Sequence, residues 1–149
     1  VMDQGKLRQV GSPDEIYLEP ANAFVAAFFG DVNRFTGQVA SGQVRIPLGP
    51  VPTNGHDEGQ NVEVLIRPEA LSISSDNPAD GAESVAGAVV AARFLGRSSL
   101  IDVCLEDAAA TNVRIHMAGR MLPDTGATVS VTRDDAQTYV FAASDLATN

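Results

Sequence analysis

The sequence predicts a mainly β protein, a small barrel or sandwich preceded by a short hairpin and two short helices. Three observations carry this. Beyond Gly30, apolar and polar residues alternate in many short runs. Turn-type residues such as Ser41-Gly42, Gly96-Arg97 and Asp134-Asp135 separate those runs. Before Gly30 the apolar spacing is helical, and cap residues stand where helices would begin.

Val1-Met2-Asp3, Gln4-Gly5 and Lys6 to Val10 read as a hairpin, with Gly5 supplying the positive φ of a tight turn. Ser12-Pro13-Asp14-Glu15 is a helix start: Ser12 caps, Pro13 fits the first helical position, and Glu15 reaches back as a capping box. Ile16, Tyr17 and Leu18 follow, and Pro20 ends the helix. Asn22 caps a second helix over Ala23 to Phe29. Its Phe24, Val25, Phe28 and Phe29 form an apolar face expected to pack on the β domain or on another copy of the chain. Gly30 stops this helix, and Asp31-Val32-Asn33 crosses into the next unit.

Strands are then expected over Arg34 to Ala40, Gln43 to Pro47, Asn61 to Ile66, Ala70 to Ser74 and Val85 to Leu95. Further ones are expected over Ser98 to Glu106, Thr111 to Met117, Ala127 to Arg133 and Thr138 to Phe141. Leu48 to Gln60 and Ser75 to Ser84 read as long polar loops. The domain boundaries that follow are 1–33 for the leading segment and 34–149 for the β unit.

A chain of 149 residues with 44% hydrophobic residues can build a core. Its net charge of −9 opposes binding to phosphate backbones and anionic lipid heads. With aromatics at 5% and no Trp, a stacking platform for single-stranded nucleic acid is not expected. Cys104 is the lone cysteine, which rules out an internal disulfide or a cysteine-based metal cluster. No apolar run is long enough to span a bilayer, and no basic and apolar leader opens the chain. Val1 falls inside what reads as a strand, which implies a longer parent protein.

The search for chemistry finds no phosphate-binding loop and no dinucleotide fingerprint. Gly37, Gly42 and Gly49 read as turn and bulge glycines. His56 lies in a Gly/Pro-rich loop and is expected to be solvated. His116 stands near a strand end as a surface or hydrogen-bonded residue, and no histidine pair has metal-ligand spacing. Cys104 shares a strand face with Asp102 and Glu106, which disfavour its thiolate. The paired carboxylates Glu106-Asp107 and Asp134-Asp135 fall at turns, where local hydrogen bonding explains them. No catalytic set, cofactor site or metal site emerges.

The sharpest local feature is Leu65-Ile66-Arg67-Pro68-Glu69, an apolar strand running directly into Arg-Pro-Glu. Pro68 forces Arg67 into an extended conformation. The Arg67 fork suits carboxylates, oxyanions or exposed carbonyls. The preferred reading is that Arg67 pairs with an acidic neighbour and fixes the strand exit; a small-anion site is the sharper alternative.

Two stretches carry a family resemblance. Val1, Met2, Gly5, Lys6, Gln9, Gly11, Ser12, Pro13, Glu15, Pro20, Ala21, Asn22, Phe24, Val25, Ala26, Phe28 and Gly30 match the C-terminal end of the ATP-binding subunit of bacterial ABC importers. Asn33 fits the asparagine at the entrance to the next domain. Ile66-Arg67-Pro68-Glu69, Phe94-Leu95-Gly96 and the Gly126 strand resemble the TOBE-type domain, an OB-like β-barrel appended to those ATPases. Tyr139-Val140-Phe141-Ala142 keeps only the Phe of the usual closing strand. Ile46 to Pro52 and Val62 to Glu69 look most like ferric-iron importer ATPases; Phe28 to Phe35 is also similar to sulfate importer ATPases.

The resemblance implies a non-catalytic accessory domain acting in subunit pairing and regulation. The alternative is an effector-binding module for a small anion or metal. ATP and Mg²⁺ would be held upstream of Val1. Implied partners are a second copy through the ATPase subunit and transmembrane permease subunits, with no nucleic acid and no membrane insertion. The implied location is cytoplasmic, at the inner face of the membrane.

Overall fold

The computed structural model describes residues 1–28, 30–53, 55–74, 84–107 and 109–143. The expected loop from Ser75 thus lies almost wholly outside the described residues, as does Phe29.

The leading hairpin pairs β1 (Met2–Asp3) with β2 (Lys6–Leu7). Helix α1 spans Pro13–Leu18 with the expected capping box: Ser12 Oγ accepts from the Glu15 N–H, and the Glu15 carboxylate accepts from the Ser12 N–H. Helix α2 spans Ala23–Phe28, and Asn22 Oδ1 accepts from the Val25 N–H at 3.0 Å. Both helices are too short to persist alone, so packing must hold them.

The β unit contains β3 (Asn33–Gln38), β4 (Gln43–Ile46), β5 (Gly49–Pro52), β6 (Asn61–Ile66), β7 (Leu71–Ser74), β8 (Ser84–Phe94), β9 (Ser98–Leu105), β10 (Asn112–Ala118), β11 (Thr128–Arg133) and β12 (Thr138–Ala142). A five-stranded antiparallel sheet has the order β10-β9-β8-β11-β7. A three-stranded sheet has the order β12-β6-β3, and β4-β5 is a separate hairpin. Together they form a nearly closed barrel.

The period-2 pattern builds the core. Ile101, Val103 and Leu105 of β9 alternate inward with half-buried neighbours. They meet Phe35, Val44, Val64, Ile73, Val89, Ile115 and Val131 from the other strands. Register shifts between Val89 and Ala91, and Val90 at this bulge is exposed. The bulge bends the longest strand so that it can serve both β11 and β9.

Two expectations change. Leu48 to Gln60 is not all loop, because β5 pairs Gly49 with Ile46 and Pro52 with Gln43. Strands disfavour glycine and proline such as Gly49, Pro50 and Pro52, yet a two-stranded ribbon leaves edges where proline costs no ladder bond. His56 is not fully solvated: it is half-buried, with Nε2 3.3 Å from the Val140 carbonyl. The turn carboxylates do bond locally. Asp107 accepts from the Thr111 N–H and hydroxyl, both at 2.7 Å, and these bonds hold its carboxyl below the usual range. Asp134 accepts from the Ala136 N–H.

Strand β6 is the pivot. From Val62 to Ile66 every residue is buried. Val62, Val64 and Ile66 enter the barrel core. Leu65 faces the other way and packs with Ala23 and Ala26 of α2, with Val32 and Phe141 beside them. Fully burying a leucine is worth about 1.5–3 kcal/mol, and the small alanines let α2 approach the strand closely. Thus α2 lies on the barrel wall at the point where the chain leaves β6 through Arg67. Among the described residues no helix is long and apolar enough to cross a membrane.

Candidate functional site: the Arg67 junction

Arg67 follows β6 in an extended conformation, φ −63° and ψ 141°, and Pro68–Ala70 forms a single 3-10 turn leading to β7. The Arg67 N–H donates to the Gln137 carbonyl at 3.1 Å, which ties the strand exit to the segment before β12.

The Arg67 side chain is only 1% exposed. It forms no ion pair among the described residues, so the acidic partner expected from the sequence is not what holds it. Instead Nη1 donates to the Ala26 carbonyl at 2.5 Å and Nη2 to the Tyr17 carbonyl at 3.4 Å. The guanidinium carbon lies 4.4 Å from the Tyr17 ring centroid and 6.0 Å from that of Tyr139. Ala26 and Tyr17 sit in the last turns of α2 and α1, whose terminal carbonyls lack intrahelical donors. Neither helix carries a basic residue in its last turn. Arg67 therefore supplies from the barrel the cation that both helix ends lack.

Tyr139 adds a neutral donor to the end of α1, its hydroxyl lying 3.0 Å from the Leu18 carbonyl and 3.3 Å from that of Tyr17. Burial is the largest cause raising the Tyr139 pKa, with Arg67 opposing. Tyr17 is also raised, first by burial and then by the charge of Glu69 and its hydrogen bond.

Glu69 faces outward from the 3-10 turn. Its Oε1 accepts from the Tyr17 hydroxyl at 3.1 Å and lies 3.6 Å from His116 Nδ1. His116 Nε2 shares a 2.6 Å hydrogen bond with Ser98 Oγ. The Ser98–His116–Glu69 row has the order of a nucleophile, base and acid. However, the carboxylate is beyond hydrogen-bond reach of Nδ1 and is already bound by Tyr17, so the row works as a polar chain joining α1 to β9 and β10. Arg67, Glu69, Tyr17, Asp31, Leu95 and His116 line a cleft of about 220 Å³.

Asn33 stitches the three-stranded sheet to the five-stranded one. Its Oδ1 accepts from the Arg114 N–H at 2.8 Å, and its Nδ2 donates to the Arg114 carbonyl at 2.9 Å. Arg114 in turn pairs with Asp31 and Asp102.

The structure thus brings Arg67, Pro68 and Glu69 together with α1 and α2, and divides the predicted apolar face of α2. Val25 is buried, Phe24 is half-buried, and Phe28 is 57% exposed with its ring 5.9 Å from that of Phe24. Phe29 lies outside the described residues. Sequence reasoning missed Tyr17 and Tyr139 as partners of Arg67, and the inward roles of Ala23 and Ala26.

A family model described as "TOBE domain" matches residues 64–141, from the middle of β6 to β12. The chain belongs to the TOBE domain family. Among relatives of this TOBE chain, the sulfate/thiosulfate import ATP-binding protein CysA of Halalkalibacterium halodurans is 42% identical over 88 residues. That match covers 57% of this chain and 25% of the relative. The Fe(3+) ions import ATP-binding protein FbpC of Photobacterium profundum is 40% identical, covering 51% and 23%. The spermidine/putrescine import ATP-binding protein PotA of Oleidesulfovibrio alaskensis is 34% identical, covering 71% and 31%. The TOBE chain therefore spans between about a quarter and a third of these relatives. A solved structure of the cytoplasmic molybdate-binding protein ModG, with molybdate bound, superposes with a TM-score of 0.58 at 13% identity. It covers 74% of this chain and 95% of that one. That likeness concerns the fold, an OB-like β-barrel.

Proposed function

We propose that the chain is the non-catalytic C-terminal part of the ATP-binding subunit of an ABC-type importer, acting in subunit pairing and in regulation of ATP-driven transport. Ferric iron ranks first as the solute and sulfate second. Residues 1–33 would end the ATP-binding domain and residues 34–149 would form the regulatory barrel. ATP and Mg²⁺ would be held upstream. The parent subunit would meet permease subunits at the inner face of the membrane.

The observation that carries this reading is the Arg67 junction. A buried cation of the TOBE barrel terminates both helices of the preceding segment, so that segment and the barrel are built to move as one. Met2, Leu7, Val10, Leu18 and Phe28 of the same segment are exposed, which fits a surface covered by more polypeptide.

Pairing makes the test. A stable two-fold interface buries more than about 1,000 Å². A net charge of −9 opposes it at low salt. Sedimentation over a salt and concentration series is expected to give a dimer that strengthens toward physiological salt, where the Debye length is about 8 Å. A monomer at high concentration in every salt rejects the pairing role. Mg-ATP titration is expected to give no binding heat; micromolar binding rejects the non-catalytic reading.

A second reading, a small-anion or metal effector module, draws support from the barrel's likeness to a molybdate-binding protein. The burial of Arg67 and its use by two carbonyls weigh against Arg67 as the anion ligand. Molybdate binding to the chain together with a monomeric state puts this second reading first.

A further inference from the structure

One end of the barrel carries exposed apolar side chains. Phe94, Ser99 and Met117 lie in register across β8, β9 and β10, on the face that carries the core residue Ile101 two positions further along. Ser99 is fully buried because the chain after β10 folds back over it. Its hydroxyl donates to the Gly119 carbonyl and accepts from the Met121 N–H, both at 2.8 Å. This fold-back brings Met121 to the end of β9, whose Ser99 pairs with Phe94, and Leu122 and Leu95 are the next residues along the chain. Phe94, Leu95, Met121 and Leu122 are exposed, between 38% and 49%. Core-type side chains at the mouth of a packed barrel leave an apolar surface of the kind that marks an interaction site.

Two cations frame it. The Arg120 guanidinium lies 5.7 Å from the Phe94 ring centroid. Arg97 sits at the hairpin tip, its carbonyl accepting from the Gly119 N–H at 2.9 Å. Neither arginine is in an ion pair among the described residues. Glu69 lines the same hollow as Arg97 and is engaged by Tyr17. Phe, Met and Arg are also the side chains enriched at the centres of protein interfaces.

We infer that this mouth is a docking surface for a protein partner that presents an acidic segment bearing large apolar side chains. The apolar row would take the partner's anchors, and Arg97 and Arg120 would take its carboxylates. A second copy is the alternative occupant that the dilution arm of the test addresses. An anionic membrane does not fit, because recognition of lipid heads takes clusters of about 4–8 basic residues. The inference does not depend on the importer reading, since it rests on the barrel end alone.

The test is a nuclear magnetic resonance titration of the isotope-labelled full chain. The probe is a short synthetic peptide of Glu, Leu and Phe; the control is its Lys-for-Glu counterpart. The expected result is amide shifts confined to residues 94–99 and 117–122 with the acidic peptide and none there with the basic one. Affinity is expected to fall about tenfold in Arg97→Glu/Arg120→Glu. Both positions are exposed, so the variant's unchanged thermal melting shows that folding is intact. Absence of shifts at the mouth, equal binding of both peptides, or equal binding by the double variant overturns the proposal. Movement of the same signals on simple dilution of the chain, or with phosphatidylglycerol vesicles but not peptide, also overturns it in favour of self-association or lipid.

Discussion

Arg67 holds Tyr17 twice, with its guanidinium 4.4 Å from the ring centroid and its Nη2 3.4 Å from the backbone carbonyl of the same residue. A buried charge costs free energy unless hydrogen bonds and favourable electrostatics offset it. Here two helix-end carbonyls and an aromatic face do so. Arg67→Ala is expected to destabilise the chain by about 3 kcal/mol, since it removes two charge-assisted bonds and leaves a void. Arg67→Lys keeps the charge but cannot span both carbonyls, and should lose about 1.5–3 kcal/mol. Urea denaturation measures both. Hydrogen exchange should rise at residues 13–28 before it rises in β9; unchanged protection there would show that the junction does not hold the helices.

Tyr139 is the second clasp. Tyr139→Phe removes one hydroxyl from two carbonyls of α1 and leaves the ring beside Phe141, 6.4 Å between centroids. The expected cost is about 0.5–1.5 kcal/mol. Far-UV circular dichroism should show partial loss of helix before the main unfolding transition.

The two tyrosines, with no tryptophan present, make the junction visible in ultraviolet absorbance. Both have folded-state pKa values raised above 10.0, chiefly by burial. The neutral phenol is thus favoured in the folded state. Stability from these groups is complete below pH 10 and is lost as pH rises from there through the folded pKa. Titration at 295 nm should show both phenols ionising later than in the urea-unfolded chain. A normal titration of either one would place it in solvent and contradict the junction.

How much of this was legible in the sequence depends on the type of signal. The α1 start was readable because a capping box is local: Ser12 and Glu15 need only each other. Alternation in β9 and β10 was readable because one face meets the core and the other does not. Strand β5 was hidden by its own prolines. The Arg67 partners were hidden for another reason. Pro68 announced that Arg67 would be extended, but Tyr17 is 50 residues away and Ala26 is 41, and no local pattern links them. The α2 face misled because large side chains were taken as the buried ones. The strand wall at Leu65 selects small residues for close approach, so Ala23 and Ala26 go in and Phe28 stays out.

That inversion changes what Phe28→Asp should do. Exposed and touching Phe24, Phe28 contributes about 1 kcal/mol or less to this chain. Ala26→Leu, a far milder change on paper, should cost about 1–3 kcal/mol by overpacking against Leu65. Thermal melting of the two variants compares them directly. A larger loss for Phe28→Asp would mean that the helix buries its aromatic face in solution.

Asn33 carries the last prediction. It is 8% exposed and bridges β3 to β10, strands that are not neighbours in any sheet. Its amide satisfies both the N–H and the carbonyl of Arg114 at 2.8 and 2.9 Å, as a neighbouring strand would. The side chain therefore substitutes for a ladder bond at the seam where the three-stranded and five-stranded sheets meet. Asn33→Ala leaves two backbone groups of Arg114 unpaired and should cost about 1–3 kcal/mol. Asn33→Asp keeps the acceptor for the Arg114 N–H but sets a carboxylate against the Arg114 carbonyl, so at neutral pH it should be no better than Ala. Protonation restores a donor, so the Asp variant, unlike Ala, should regain stability as pH falls through the carboxyl's range. Denaturant midpoints of the two variants from pH 7 down to pH 4 separate these outcomes. Parallel pH curves for Ala and Asp would show that the seam is closed by packing alone.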